Sequence, residues 1–178
     1  MRLTVPPELV EAAKSGQGNG MERLLETLWP HAYRIARSVV QNDALAEDAA
    51  QEACAIIYRE IAQLRSADAF RAWAYRIVVR EALRVAKHQA PVSGATESDA
   101  EDDIDARLDT LRALAALSAE LRAVAVLHYY ADLSSAEIGS ILRVPSATVR
   151  FRLSQARKRL KQILSADNTP FTMAEASR

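Results

Sequence analysis

The chain contains little cysteine, glycine, proline or aromatic residue, and it has no excess of either charge. Its 178 residues include one cysteine, five glycines and six prolines, and aromatic residues make up 6% of them. The single Cys54 excludes an internal disulfide. Few aromatic residues beside abundant alanine, leucine, arginine and glutamate favour helices over sheets. We therefore expect an all-α protein, and the length suits two small helical domains.

The chain also lacks long hydrophobic runs and the motifs typical of enzymes. No apolar stretch long enough for a signal peptide or a membrane span is present, which predicts a cytoplasmic protein without membrane insertion. His31, His88, His128 and Cys54 do not have the spacing of metal ligands, and neither a phosphate-binding glycine loop nor a nucleophile motif occurs. An enzyme is therefore the least favoured class, and the sequence predicts no metal or cofactor.

Charge is distributed unevenly along the chain although it sums to zero. Lysine plus arginine and aspartate plus glutamate number 23 each, so the net charge does not indicate a polyanionic partner. Residues 134–164, however, hold seven basic residues and one acidic residue, whereas residues 90–106 hold six acidic residues and no basic one. This asymmetry predicts that the basic segment binds a polyanion.

Apolar periodicity divides the chain into two helical domains. Residues 1–20 are expected to form a short helix and a turn that belong to the first domain, and residues 21–89 form the rest of its bundle. Residues 90–106 have too little apolar surface to repay their ordering, so they form a flexible acidic linker. Periodicity resumes in the second domain, residues 107–164, and the polar tail at 165–178 is expected to be disordered.

The second domain carries a helix-turn-helix pattern. Ser134 and Glu137 form a capping box that opens one helix. Gly139 inside that helix costs about 1 kcal/mol relative to alanine, which predicts the close approach of a second helix. Pro145 then breaks the chain, and the following helix has one apolar face, made by Val149, Leu153, Ala156, Leu160 and Ile163.

The opposite face of that following helix is largely polar. It carries Thr148, Phe151, Ser154, Gln155 and Lys158, which we call the reading face, and it is flanked by Arg150, Arg152 and Arg157. Polar groups that reach base edges, bordered by guanidinium groups for phosphates, are typical of a recognition helix. A merely solvated basic face is the alternative, but the capping box, glycine, turn and charge together favour DNA binding.

The first domain is predicted to present two surfaces of opposite charge. A helix over residues 69–88 places five cations on one side, which we call the basic stripe: Arg76, Arg80, Arg84, Lys87 and His88. Their sign favours a nucleic-acid backbone over a solvated face. Trp73 on the same helix is expected to pack in the core rather than stack on bases. The preceding helix carries an acidic face, Asp48, Gln51 and Glu52, which suits a basic protein surface or solvent equally.

Taken in their order along the chain, the acidic face, the basic stripe, the acidic linker and the helix-turn-helix resemble the motifs of the bacterial sigma factors of RNA polymerase. The resemblance is to the extracytoplasmic-function group, which keeps only sigma domains two and four. Asp48-Ala49-Ala50-Gln51-Glu52 resembles the polymerase-binding signature, and residues 70–77 resemble the helix that engages the minus-ten element. Residues 137–139, 144–145, 148–150 and 156–160 resemble the reader of the minus-thirty-five element. Nearly the whole chain is covered.

The resemblance implies a sigma factor that binds core RNA polymerase and directs promoter-specific initiation. The acidic face would dock on a coiled coil of the largest polymerase subunit, and the loop at 64–69 would capture a flipped base. Minus-ten DNA would be held by Arg65, Arg76, Arg80, Arg84 and Lys87. The minus-thirty-five element would be met by Thr148, Arg150, Phe151, Ser154, Gln155, Arg157 and Lys158. An anti-sigma factor is a further partner that the family implies.

Five positions depart from the usual pattern of the family, namely Cys54, Arg80, Arg143, Phe151 and Gln155. Arg143 stands where the turn commonly has glycine, and Phe151 replaces a small residue, so the promoter sequence stays open. Cys54 is interpreted as a buried structural thiol, with a redox sensor as the alternative. For the whole chain, the alternative is a two-domain regulator that binds duplex DNA without polymerase.

Overall fold

The computed structural model describes residues 3–88 and 113–167, and within these ranges it contains helices and no strand. The first half comprises α1 (Pro7–Ser15), α2 (Gly20–Val40), α3 (Asp43–Glu60) and α4 (Phe70–His88), with 3-10 turns at Ile61–Gln63 and Ala67–Ala69. The second half comprises α5 (Ala119–Tyr129), α6 (Ser135–Leu142) and α7 (Ser146–Asp167). The prediction of an all-α protein is confirmed. The predicted acidic linker, 90–106, lies outside the described residues.

The helix ends follow the local capping chemistry of the sequence. Pro7 opens α1, and Gly16 closes it with a φ of 66°, a conformation that favours glycine. The side chain of Asn42 caps α3 by accepting a hydrogen bond from the Leu45 amide at 3.0 Å. Helix α7 continues past Leu164 to Asp167, into the first residues of the predicted tail. No helix-breaking residue stands there, and each added residue gains one backbone hydrogen bond. Residues 168–178 of the predicted tail lie outside the described residues.

The first half is a helical bundle in which α2, α3 and α4 pack against one another, with α1 against α2. The apolar residues that recur at three- and four-residue intervals on α2 include Leu24, Leu28 and Ile35, which are 0% exposed. Tyr75 is also 0% exposed, and its hydroxyl accepts a hydrogen bond from the Leu3 amide at 3.1 Å. This bond satisfies a buried polar group and fixes the first described residue to α4.

The second half is a smaller cluster built on α5, which packs against α7 and α6. Leu127, Ile138 and Val149 are fully buried there and come from all three helices. The Arg122 guanidinium donates to the carbonyl oxygens of Leu117 and Ala115, at 3.1 and 3.4 Å. These hydrogen bonds satisfy two carbonyl groups of the segment that leads into α5. Because the buried Val149 lies on the apolar face predicted for the last helix, this face holds α7 to the domain.

The two halves contact each other, and this contact determines which charged surfaces are open. Helix α2 packs on α5, and α4 packs on α5 and α6. Buried apolar residues form one continuous cluster that extends from the first half into the second. The face between the halves therefore includes charged side chains of α4 and α6.

Candidate functional site

The acidic face of α3 is a solvent-accessible surface, as the pattern predicted. Asp48, Gln51 and Glu52 are all exposed, whereas Ala49, Ala53 and Ile57 on the other side of the helix are buried. Gln51 donates to the Glu47 carboxylate at 3.2 Å, and Arg59 lies 3.1 Å from Glu52. Both contacts are in solvent, so they hold the side chains only weakly and leave them able to exchange partners.

An apolar groove adjoins the acidic face, and it was not predicted from the sequence. It has a volume of about 1010 Å³ and is lined by Met21, Leu25, Trp29, Cys54 and Tyr58, with Glu22 and Glu26 also in its walls. Tyr58 is 62% exposed, which is unusual for a large aromatic side chain. The sequence contains one signal for this groove. Gln51, Cys54 and Tyr58 follow one another at three- and four-residue intervals, which places them on one side of α3.

Burial determines the chemistry of Cys54 in that groove. The thiol has no disulfide partner, and desolvation raises its pKa to about 11. A thiol with this pKa is almost entirely protonated at neutral pH, and the protonated form is a poor nucleophile. The surroundings of Cys54 therefore favour the structural interpretation over the redox sensor.

The basic stripe lies along α4, but it is not a row of free cations. Arg80, Arg84, Lys87 and His88 are exposed, whereas Arg76 is half-buried. Glu81, only 5% exposed, stands between two of them, and its carboxylate lies 3.1 Å from Arg80 and 2.7 Å from Arg84. Glu81 was not predicted from the sequence, because a single acidic residue leaves no periodic signal. Glu81 orients two guanidinium groups and offsets part of the positive charge.

Arg65 and the turn before α4 lie at the start of the same helix. Arg65 is exposed, and Ser66 stabilises the turn by accepting a hydrogen bond from the Asp68 amide at 3.3 Å. Leu64 is buried and Phe70 is 1% exposed, so both ends of the segment 64–69 are anchored in the core. Trp73 is partly buried against that core, as predicted, with its ring 6.2 Å from that of Phe70. The turn is held firmly beside the basic stripe.

The helix-turn-helix is formed by α6, a tight turn and α7. The predicted capping box is present: the Ser134 hydroxyl accepts from the Glu137 amide at 3.3 Å, and the Glu137 carboxylate accepts from the Ser134 amide at 2.8 Å. A Cβ on Gly139 would lie 2.7 Å from the Val144 carbonyl oxygen, which is too close for any real side chain. The predicted close approach at Gly139 is therefore real, but the turn itself makes most of it, and the first residue of α7 makes the rest.

Arg143 ends α6 in the left-handed conformation, with φ 56° and ψ 45°. Glycine adopts this conformation without strain, whereas a side chain with a Cβ is crowded by its own backbone. The Val144 amide continues the turn by donating to the Gly139 carbonyl at 3.0 Å. The turn therefore keeps the geometry of a glycine turn although arginine occupies the glycine position.

The reading face of α7 points away from the core. Val149, Leu153 and Ala156 are buried on the inner side, while Phe151, Ser154 and Lys158 are exposed on the outer side. Thr148 and Gln155 are half-buried at its edges, and Arg150 and Arg157 are exposed beside it. Arg152 differs from its neighbours because it forms an ion pair of 2.8 Å with Glu120 of α5. The predicted residues thus share one accessible surface, and Arg152 instead contacts the protein.

The contact between the halves covers part of the basic stripe. Arg76 donates to the Ser140 carbonyl at 3.3 Å, and Arg71 lies 3.1 Å from the Glu137 carboxylate, so both reach α6 from α4. On the other side, the Tyr130 hydroxyl lies 3.3 Å from His31 Nδ1, and the Arg34 guanidinium lies 5.3 Å from the Tyr130 ring centre. Burial, and then the charge of Arg34, lower the pKa of His31, which favours the neutral imidazole in this contact.

Two further properties bear on the class of protein. Within residues 3–88 and 113–167, no three histidine, cysteine, aspartate or glutamate side chains are grouped so that they can ligate a metal ion. Among the helices of the same ranges, none combines the length and the apolar character that crossing a bilayer requires.

Comparison with known proteins agrees with this geometry. Residues 24–91 match the family model described as Sigma-70 region 2, and residues 107–160 match Sigma-70, region 4. The chain is 32% identical over 149 residues to the ECF RNA polymerase sigma factor SigL of Mycobacterium tuberculosis, an alignment that covers 77% of this chain and 82% of SigL. It is 26% identical over 180 residues to the RNA polymerase sigma-H factor of Pseudomonas aeruginosa, covering 88% and 92% of the two chains.

Solved structures agree in fold. CnrH, in complex with the cytosolic domain of CnrY, matches with a TM-score of 0.71 at 23% identity, over 90% of this chain and 97% of CnrH. RpoE of Bartonella quintana, in complex with the anti-sigma factor NepR, matches with a TM-score of 0.69 at 21% identity, over 84% and 99%. The two sigma-70 regions match in the same order as the two helical halves. Together with the identity to SigL, these matches place the sequence in one family. This chain belongs to the extracytoplasmic-function sigma factors of RNA polymerase.

Proposed function

We propose that the acidic face of α3 docks on core RNA polymerase and that the basic stripe and the reading face then bind one promoter at two points. As a sigma factor, the chain directs promoter-specific initiation by core polymerase. The observation that carries the assignment of surfaces is their separation, because the acidic face lies on α3 and the cationic surfaces lie on α4 and α7. Acidic side chains repel DNA phosphates, so this face suits a basic surface on a protein.

The apolar groove extends the proposed polymerase contact. Leu25, Trp29 and Tyr58 lie next to the acidic face and offer the apolar area that a stable interface needs at its centre. Aromatic side chains in such positions commonly provide much of the binding energy. We therefore place the centre of the docking site in the groove and its charged rim at Asp48, Gln51 and Glu52.

The two cationic surfaces are proposed to bind different parts of the promoter. The basic stripe with Arg65 is proposed to hold minus-ten DNA through its phosphates, while the turn at 64–69 receives a flipped base. The reading face, with Arg150 and Arg157 beside it, is proposed to enter the major groove at the minus-thirty-five element. The role of the chain is binding rather than catalysis, and its place of action is the cytoplasm, where polymerase and DNA are found.

The proposed domain division follows from these roles. Residues 21–89, together with the helix and turn of 1–20, serve polymerase and minus-ten DNA, and residues 107–164 serve the minus-thirty-five element, with 90–106 as the tether. An anti-sigma factor is a further proposed partner. Support for it comes from the solved neighbour RpoE, whose complex holds the anti-sigma factor NepR. The open apolar groove offers such a partner a surface from which it excludes polymerase.

Asp48→Arg tests the docking proposal. Asp48 is exposed, so its replacement spares the core, and reversing its charge puts repulsion where attraction is proposed. We expect the affinity for core polymerase to fall at least tenfold in a fluorescence anisotropy titration, as removal of about 1.4 kcal/mol does. The matched control is Glu8→Arg, the same charge change at an exposed position of α1. Equal affinities of the two variants would remove the acidic face from the interface.

A further inference from the structure

Phe151 is a large apolar side chain exposed on a surface that is otherwise polar. Its side chain is 64% exposed, more than that of Tyr58 or Tyr129, the other large exposed hydrophobic residues of the described chain. Exposure of one apolar residue has no significance in itself. Its position gives it meaning, because Phe151 lies in the second turn of α7, the helix proposed to enter the major groove.

The core fixes the direction in which Phe151 points. Val149, Leu153 and Ala156 are 0 to 4% exposed and hold one side of α7 against the domain. At 100° per residue, position 151 lies about 180° from the mean direction of those three side chains. Its neighbours on the outer side are small, since Ala147 and Ser154 are exposed at four residues before and three after. The ring therefore lies on the side of α7 opposite the core and is open to a partner.

The chemistry of base edges limits what such a ring can recognise. In the major groove, guanine, adenine and cytosine present hydrogen-bonding groups, whereas thymine adds a C5-methyl group. A phenyl ring has no donor or acceptor for the former groups. Packing of the ring against the apolar methyl group excludes water from it and so makes the free energy of binding more favourable.

We propose that Phe151 selects thymine at one position of the minus-thirty-five element by packing its ring against the thymine C5-methyl group. This inference rests on the proposed role of the reading face and adds the base and the atom that are recognised. Hydrogen-bonding residues beside it, such as Ser154 and Gln155, read other positions. Phe151 is thus a specificity-determining residue whose effect depends on a methyl group.

The test uses the full chain bound to core polymerase and a duplex pool with a randomised minus-thirty-five region. Selection from this pool supplies the preferred element, and each thymine in it is then replaced singly by uracil, which lacks only the methyl group. We expect one replacement to weaken binding by the wild type about fourfold, the effect of about one buried methyl-sized group. With Phe151→Ala, the thymine and uracil duplexes should bind equally, and Phe151→Leu should keep part of the difference.

The outcomes separate this inference from the proposed function. If no element is enriched at all, the role of the reading face is wrong. If an element is enriched but contains no required thymine, or if every uracil replacement is neutral for the wild type, Phe151 does not read a methyl group. The same conclusion follows if Phe151→Ala retains the full thymine-to-uracil difference. Because Phe151 is exposed, its variants should keep the helical circular dichroism of the wild type, so that a loss of binding is not a loss of fold.

Discussion

Arg143 is a residue whose backbone conformation is at odds with its side chain. It adopts φ 56° at the end of α6, in the turn that orients α7. For a residue with a Cβ, the left-handed region costs roughly 1 to 2 kcal/mol, and part of this is offset when glycine is introduced because glycine loses more entropy on folding. The conformation persists because Gly139, the Val144 amide and the start of α7 define the turn around it.

Replacing this residue tests the cost directly. We expect Arg143→Gly to raise the free energy of unfolding by up to about 1 kcal/mol, a rise of a few degrees in the melting temperature. Arg143→Ala is the matched control, since it removes the same side chain but keeps the Cβ. Thermal unfolding followed by circular dichroism measures both. A gain of equal size in both variants would attribute the effect to the side chain and not to the backbone.

Single residues were predicted unevenly from the sequence. The capping residues Ser134 and Glu137 and the close approach at Gly139 followed from rules that act over a few residues of chain, and the structure confirms them. Glu81 did not follow from such a rule. Its importance comes from burial beneath two arginines, and burial depends on how α4 packs against the rest of the molecule.

At the scale of elements, α7 separates arginines that contact protein from arginines that are free to contact DNA. Arg157 is exposed beside the reading face, whereas Arg152 forms an ion pair with Glu120 of α5. The helical periodicity predicts both at the border of that face. Periodicity gives only the side of the helix on which a residue lies. It does not reveal which side contacts a neighbouring helix.

This difference predicts opposite results from two similar substitutions. Arg157→Ala should weaken minus-thirty-five binding at every sequence, and it should reduce the slope of log affinity against log salt concentration by about one, as the loss of one phosphate contact does. Arg152→Ala should leave that slope unchanged and affect stability only slightly. Binding of the polymerase complex to duplex DNA at several salt concentrations measures both. A slope unchanged in Arg157→Ala would exclude a phosphate contact by Arg157.

At the scale of the whole molecule, the two halves share a contact that leaves part of its polar surface unsatisfied. Arg71 and Arg76 reach α6 from α4, yet Arg71 Nη1 and Arg76 Nε are buried without a hydrogen-bond partner. The contact therefore uses only part of the hydrogen-bonding capacity of these two guanidinium groups. Since Arg76 belongs to the basic stripe, separation of the halves would free it for DNA.

Tyr130 provides a test of how firmly the halves are joined. Tyr130→Ala removes the contacts with His31 and Arg34, so we expect a larger radius of gyration in small-angle X-ray scattering with unchanged helical content. The matched control is Tyr129→Ala, because Tyr129 is 58% exposed and its ring packs on His128 of its own helix. If both variants scatter like the wild type, Tyr130 does not hold the halves together.

The sequence contained little information on this contact. The pairs that form it are far apart in the chain, as are His31 and Tyr130, and no local pattern records which surface of one half meets the other. The apolar groove depends on packing as well, because its walls come from α2 and α3 together and the spacing within α3 indicates only one of them. The helices, their buried faces and the reading face were predictable because each depends on the spacing within one segment.

Transcription with purified components tests whether this chain directs initiation by core polymerase through the acidic face of α3. Core polymerase alone and core polymerase with this chain are given genomic DNA fragments, and the ends of run-off transcripts are mapped. We expect discrete start sites that require the chain, that share a minus-ten and a minus-thirty-five element, and that weaken with Asp48→Arg but persist with Glu8→Arg. If the chain binds duplex DNA yet yields no discrete start sites with core polymerase, the docking proposal is wrong, and a regulator that acts without polymerase docking is favoured.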